Sequence, residues 1–276
     1  MAKLETTVLE EIDVWPYTHT SMIKNQRLDY YGTDNLEIYN RNLKYCKEDW
    51  IFLNTPVSYN FNKQGLRMPK DIELVNDNYI LFSGTSNAMG IGIPELYRYS
   101  ENISKNLKLD FINFAGPTFT TKIQIISFFN LLKTNLNLPK ILIFEYPPHD
   151  AYTYYSDDSF IMSYVKHMPS KTKYKNHIDA YNNLLNTDFF IKESEIYRNM
   201  LIGTCKRLKI KLIELSFHKN DLFSSNKDIL TIDIDSNKND LNYCYGRDIR
   251  IYNKEYTAHP GIGIHSETTK KVLDLL

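Results

Sequence analysis

The sequence predicts an α/β fold built on a parallel sheet. Short apolar runs rich in β-formers alternate with helix-compatible segments, the runs recur at spacings of about 25 to 35 residues, and several end in abrupt Gly- or Pro-rich turns. The sharpest case is the run Tyr79-Ile80-Leu81-Phe82, which breaks at Ser83-Gly84-Thr85-Ser86-Asn87 before a helix-compatible segment after Pro94. A turn at the C-terminal end of a parallel strand is where open α/β sheets gather ligand chemistry, because backbone amides and a helix N-terminus converge there. Ser86 stands on that turn and is the first candidate nucleophile.

Taken in order, residues 1–50 carry aromatics and charges without clear period, apart from a short helix expected over 35–45. Residues 1–60 read as an N-terminal extension packing on a core domain of 61–276. Around Pro56, residues 51–53 and 57–61 alternate in a way that predicts a small hairpin. After the Gly84 turn, a helix over 94–107 would place Leu96, Tyr97, Ile103 and Leu107 on one face. A second strand over 109–114 ends at Ala115-Gly116-Pro117, and an apolar helix is expected over 121–136. The run Ile141-Leu142-Ile143-Phe144 is apolar on both faces, which suits a central parallel strand, and it leads to Pro147-Pro148-His149-Asp150. Residues 151–187 are Tyr-rich and polar, predicting a long loop or lid with a helix near 178–185. A helix over 193–208 would turn Ile196, Met200, Leu201 and Cys205 to one side, and strands follow over 211–215 and 229–234. The chain closes on a helix over 266–276, with Ser266 as N-cap and Val272, Leu273 and Leu276 facing inward.

Composition narrows the function. The chain has 276 residues and 42% hydrophobic content, enough for one principal domain with a sizeable core. Its 33 basic and 33 acidic residues cancel, so no global field favours nucleic acid or an anionic membrane surface as partner. Cys46, Cys205 and Cys244 are an odd number at wide spacing, with no CxxC pair, which points to a reducing compartment. The N-terminal segment lacks the apolar stretch of an export signal, and no window approaches the roughly 18 apolar residues of a membrane span, so a cytoplasmic protein is expected. No cofactor or metal is expected either. Gly84 to Gly90 lacks the Lys and Ser/Thr of a phosphate-binding loop, Gly90 and Gly92 lack the third glycine of a dinucleotide fingerprint, and His149 with Asp150 has no third ligand at motif spacing.

An acyl-transfer site needs a nucleophile, a base for its proton and donors for the developing oxyanion, and the sequence supplies a candidate for each. Ser86 follows the first strand, so its amide and those of Asn87 and Ala88 lie near a helix N-terminus; Gly116 ends the second strand; His259 lies in a loop before the last helix. In a parallel sheet these strand ends share one edge. Each residue also has a plainer role: Ser86 as a helix cap, His259 and His149 as loop residues, His265 as the residue before a cap, the tyrosines as amphipathic filler. Tyr152, Tyr154 and Tyr155 keep a carbohydrate platform open.

The combination Phe82-Ser83-Gly84-Thr85-Ser86-Asn87-x-x-Gly90-x-Gly92, Asn113-Phe114-Ala115-Gly116 and Ala258-His259-Pro260-Gly261, preceded by Asn62-x-x-Gly65-x-Arg67, resembles the SGNH (GDSL-type) hydrolases, in particular the branch with a GCS first block and a C-terminal HPG block. The resemblance spans roughly residues 60–276. It implies a three-layer α/β/α sandwich with a flavodoxin-like parallel sheet, Ser86 as nucleophile, His259 as base, and the Ser86 and Gly116 amides in the oxyanion hole. It implies a serine esterase or O-deacetylase of an acylated small molecule or carbohydrate, with an acyltransferase on the same residues as the sister activity. Three positions depart from the family, the first being its first-block Asp, which is Thr85 here, a change the GCS branch accommodates. Its third oxyanion donor, an Asn, is absent, leaving His149 nearest by position, and its triad Asp is replaced by Tyr256. Glu255, Asp248 or a backbone carbonyl would then orient His259; otherwise the site is a Ser-His dyad or a glycan-binding or structural protein without catalysis.

Overall fold

The computed structural model describes residues 23–46, 48–117, 119–147, 151–156, 159–164, 187–217, 228–233, 240–252 and 255–276. The first of these form a strap against the core. Strand β1 (Arg27–Leu28) pairs antiparallel with β2 (Tyr59–Asn60). Between them, helix α1 (Leu36–Asn42) starts where the Asn35 side chain accepts the Ile38 amide. Trp50, Phe52, Val57 and Tyr59 bury in the same apolar cluster as the central sheet, so strap and sheet share one core. The hairpin expected over 51–61 does not form: Ile51–Leu53 is a 3-10 turn, and residues 59–60 pair with 27–28 instead. Pro56, which has no amide to donate to a ladder, separates the two halves.

Strands β3 (Tyr79–Gly84), β4 (Asp110–Ala115) and β5 (Ile141–Tyr146) follow, then an antiparallel hairpin of β6 (Ala151–Ser156) and β7 (Ser159–Tyr164), then β8 (Lys211–Ser216) and β9 (Ile229–Thr231). Five of these build one sheet in the order β4-β3-β5-β8-β9, with every pair parallel. Every residue of β3 and β5 is buried, as two-sided cover demands. Register aligns the strand ends: Gly84 lies opposite Ala115, and Ser83 opposite Phe144.

The helices are α2 (Ser86–Met89), α3 (Tyr99–Leu107), α4 (Thr121–Leu132), α5 (Thr187–Leu208), α6 (Leu241–Cys244) and α7 (Ile262–Asp274). From β3 the chain steps to β4 through α3, then back across β3 to β5 through α4. Right-handed crossovers in opposite directions put α3 and α4 on opposite faces of the sheet. Helix α7 packs on α3 and α5 packs on α4, giving three layers, α/β/α. Strands β3 and β5 are neighbours whose following helices leave on opposite faces, so the crevice of the fold opens at their C-terminal ends.

Four local expectations change. Helix α3 starts only at Tyr99, because extended backbone at Arg98 (ψ 137°) divides it from a 3-10 turn at Glu95–Tyr97, where Leu96 is 81% exposed. Helix α7 starts at Ile262 with Gly261 as N-cap, so Ser266 lies inside the helix and its hydroxyl donates to the Ile262 carbonyl over 3.0 Å. On α5 the buried side is narrow: Leu201 and Cys205 are covered, whereas Ile196 and Met200 are exposed. The expected loop over 151–164 is the β6–β7 hairpin, in keeping with its Tyr-, Thr- and Ile-rich composition. The helix expected near 178–185 lies outside the described residues. Among the described residues, no helix is long and apolar enough to cross a membrane.

Candidate active site

Ser86 is the first residue of a one-turn helix set directly on the end of β3. Thr85 caps that turn by accepting the Asn87 amide, and Gly90 closes it at φ +79°, a left-handed conformation that glycine adopts without strain. Arg67, fully buried, holds the exit. Its guanidinium donates to the carbonyls of Ser58 (2.6 Å), Ile93 (2.8 Å), Met89 (3.3 Å) and Gly90, and lies 4.0 Å from the centre of the Tyr59 ring. The motif Asn62-x-x-Gly65-x-Arg67 thus braces the serine turn from behind.

His259 reaches the turn from the loop before α7. Its Nε2 lies 2.8 Å from Ser86 Oγ, and its Nδ1 lies 2.8 Å from Asp248 Oδ2. Asp248 is fully buried, and its Oδ1 also accepts the His259 amide at 3.2 Å. The Thr33 hydroxyl, from the strap, donates to Asp248 Oδ2 at 2.6 Å. Burial alone would raise the Asp248 carboxyl; the facing His259 ring and the hydrogen bonds from His259 and Thr33 outweigh it and hold the carboxyl below its ordinary range.

Neighbouring pairs fix this loop to the strap. Arg247 makes a two-pronged ion pair with Asp34, Nε to Oδ1 and Nη2 to Oδ2, each at 2.8 Å. Asp34 Oδ2 also accepts the Tyr59 hydroxyl at 2.5 Å, and the Tyr59 oxygen in turn accepts the Gly92 amide at 2.8 Å. The Arg247 amide donates to the Gly92 carbonyl at 2.9 Å, which ties the Asp248 segment to the far end of the serine turn.

The structure therefore brings Ser86, His259 and Asp248 together. Of the two carboxylates expected to orient His259, Asp248 occupies that position. The Glu255 backbone pairs with Tyr252 in a small hairpin of β10 (Arg250–Tyr252) and β11 (Glu255–Thr257), and its side chain lies outside the described residues. Tyr256 is 44% exposed beside Tyr245, with ring centroids 5.9 Å apart. His149 lies outside the described residues.

Two expected oxyanion donors are engaged elsewhere. The Gly116 amide donates to the Gly84 carbonyl at 3.3 Å, because the β3–β4 ladder runs one residue past the strands. The glycine is needed there for space: an added Cβ would come within 2.5 Å of the Phe119 ring. The Asn87 amide donates to Thr85 Oγ1 at 3.2 Å and its side-chain amide to Glu145 Oε1 at 3.1 Å, so both work on the inner side of the turn. The Ser86 amide has no acceptor among the described residues. His265 serves the fold: its Nδ1 accepts the Tyr99 amide at 3.1 Å, and burial with Arg98 and Arg67 nearby pushes its pKa down to about 3, keeping it neutral.

Two residues of the site escaped sequence reasoning. Glu145 is one, and its signal was present: a single carboxylate at the end of the central apolar run Ile141-Leu142-Ile143-Phe144 is out of place unless something satisfies it. Thr33 is the other, and nothing in its local sequence marks it. Among the described residues, no group of three or more His, Cys, Asp or Glu side chains is arranged to hold a metal ion.

No family model and no curated protein matches the chain. Similar solved structures include an acetyl xylan esterase, AlAXEase, at 14% identity over 72% of this chain and 99% of that one, with a TM-score of 0.42. A member of the lipolytic protein G-D-S-L family from Veillonella parvula DSM 2008 aligns at 15% identity over 72% and 98%, with a TM-score of 0.35. The psychrotrophic esterase EstA from Pseudoalteromonas sp. aligns at 8% identity over 71% and 95%, with a TM-score of 0.42. Likenesses this remote carry no argument about activity; the geometry around Ser86 does.

Proposed function

We propose that the protein is a serine hydrolase that cleaves a carboxylic ester of an acylated small molecule or carbohydrate. One observation carries this reading: the unbroken chain Ser86 Oγ, His259 Nε2, His259 Nδ1, Asp248 Oδ2, with both contacts at 2.8 Å. In this arrangement the imidazole accepts the serine proton as Oγ attacks the ester carbonyl, then delivers it to the departing alkoxide, leaving an acyl-enzyme. Water activated by the same imidazole releases the acid. Asp248 holds Nδ1 protonated, so that Nε2 faces Ser86 as an acceptor, and stabilises the imidazolium that forms. The Ser86 amide, which has no acceptor among the described residues and stands at the first turn of α2, is the donor offered to the oxyanion.

The rival reading, a binding protein without catalysis, rests on two departures, Tyr256 where a carboxylate was expected and no Asn as third oxyanion donor. Asp248 at 2.8 Å from the imidazole speaks against the first. The test is labelling by a fluorophosphonate together with hydrolysis of an activated acetyl ester. The protein is expected to label and turn over, and Ser86→Ala to do neither. Equal labelling of both, or no labelling of the folded protein, overturns the proposal. Transfer to an alcohol acceptor that outpaces hydrolysis would make the activity an acyltransferase on the same residues.

A further inference from the structure

We infer that Glu145 is the positioning residue of the nucleophile: a buried carboxylate, supplied by the neighbouring strand, that shapes the turn carrying Ser86. This rests on the reading of Ser86 as nucleophile. Glu145 sits near the end of β5, fully buried, on the strand that pairs with β3. Its four described partners all come from residues 85–88. Oε1 accepts the Thr85 hydroxyl at 2.6 Å and the Asn87 side-chain amide at 3.1 Å; Oε2 accepts the Ala88 amide at 2.8 Å and the Thr85 amide at 3.2 Å. All four are donors, which suits an acceptor-only carboxylate. Among the described residues, no Lys, Arg or His nitrogen lies within ion-pair distance of it.

An unpaired carboxylate is an unfavourable occupant of a central strand, where a leucine would fill the space without desolvation. Glu145 does more than fill space. Glu145 Oε2 accepts the Thr85 and Ala88 amides on either side of Ser86 in sequence, and Thr85 Oγ1 accepts the Asn87 amide, so of residues 85–88 only Ser86 keeps an amide free of partners among the described residues. Gly84 fits the same purpose: a Cβ there would stand 2.5 Å from Glu145 Oε2 and 2.9 Å from Glu145 Cβ, so the strand end leaves room for this side chain. The Thr85 hydroxyl lies 2.6 Å from the Glu145 carboxylate, so a carboxylate at position 85 would reach the same donors. The charge that could stand within the turn stands instead one strand away.

That geometry defines a swap. In Glu145→Gln, one acceptor oxygen becomes an amide that faces donors, and the second-order rate of fluorophosphonate labelling at Ser86 is expected to fall by about tenfold or more. In Thr85→Asp, two carboxylates face each other in a buried site and labelling is expected to fall further. In the double variant Thr85→Asp with Glu145→Gln, the introduced carboxylate caps α2 by accepting the Asn87 and Ala88 amides, the introduced carboxamide donates to it, and labelling is expected to return to within about fivefold of the parent. A double variant no better than either single, or a Glu145→Gln protein that labels at the parent rate, overturns the inference. Hydrogen exchange over residues 84–90 gives a readout independent of chemistry: exchange at the Thr85 and Ala88 amides is expected to accelerate in Glu145→Gln and to slow again at Ala88 in the double variant. Unchanged exchange overturns the inference even if the parent never labels, whereas a parent with the expected exchange and no labelling overturns only the hydrolase reading.

Discussion

Two buried carboxylates flank the site, and they are held in opposite ways. Asp248 faces a titratable ring and a hydroxyl from the strap, and its carboxyl is held below the ordinary range. Glu145 faces the hydroxyl and amides of one turn, and burial pushes its pKa up to about 7 against the pull of those four hydrogen bonds. The first belongs to a region assembled from two distant stretches, the strap with Thr33 and the 240–260 segment with Asp248 and His259. The second belongs to a region made by adjacent parallel strands. A carboxylate with a cation-forming partner can be stabilised as an anion while its work is done; a carboxylate with only neutral donors is retained at a cost to stability.

The largest expected effect separates the two regions by chemistry. Asp248→Asn keeps the shape but presents an amide to the His259 ring, which favours the wrong tautomer and removes the charge that stabilises the imidazolium. Turnover of an activated ester is expected to fall by about 10⁴-fold with little change in KM. A loss of less than about tenfold would mean that Asp248 is a structural partner and that the contrast with Glu145 is only one of pKa.

The two regions also differed in how far sequence revealed them. The strand and the break after it around Ser86 were legible because each step is local, β-formers and then Gly and Ser, at a spacing that implies parallel crossovers; the one-turn helix Ser86–Met89 was not, since the helix was expected only after Pro94. Gly116 follows the second strand as expected, but the length of the β3–β4 ladder, which sequence does not fix, turns its amide to the Gly84 carbonyl. Around His259 the decisive contacts join residues 215 and 226 positions apart, Thr33 with Asp248 and with His259 Nδ1, the latter at 3.4 Å. No periodicity encodes such a contact. Sequence kept Asp248 only as one of two carboxylates near the histidine, and the shape of the 240–260 segment, pinned by the Arg247–Asp34 pair, is what chooses it.

The second effect concerns stability. Glu145 is raised from 4.5 to about 7, so between those values the folded protein holds a proton that the unfolded chain has lost. Stability then falls as pH rises through that window, by about 3 kcal/mol at 1.36 kcal/mol for each pH unit of displacement, and levels off above it. Asp248 works the other way: its lowered pKa contributes stability above the ordinary carboxylate range that is lost as pH falls through its folded value. Asp34 and Glu101, both raised chiefly by burial, give slopes of the same sign as Glu145 above their ordinary values. From α3, the buried Tyr99 hydroxyl feels the Glu145 charge and is itself pushed up, chiefly by burial, so it stays neutral throughout. Urea unfolding at pH 5 and pH 8 is expected to show the parent losing stability and Glu145→Gln losing about 3 kcal/mol less. Parallel losses in the two proteins would remove Glu145 from the account.

The smallest effect tests whether the strap belongs to the site. The Thr33 hydroxyl donates to the same Asp248 oxygen that faces His259 Nδ1, so Oδ2 is shared between a fixed donor and the imidazole. Removing a hydrogen bond to a charged acceptor costs about 1.5 to 3 kcal/mol when the acceptor stays buried. Part of that loss appears as a rise in the Asp248 pKa, because a bond favouring the anion is gone. Thr33→Val, which keeps the branched shape, is therefore expected to lower kcat by about tenfold, leave KM unchanged and move the loss of activity at acidic pH upward. A change in thermal midpoint with an unaltered pH profile would make the strap a brace for the core and nothing more. A shifted profile at an unaltered midpoint would make the residues before the sheet a working part of the site, joined to it through one oxygen of Asp248.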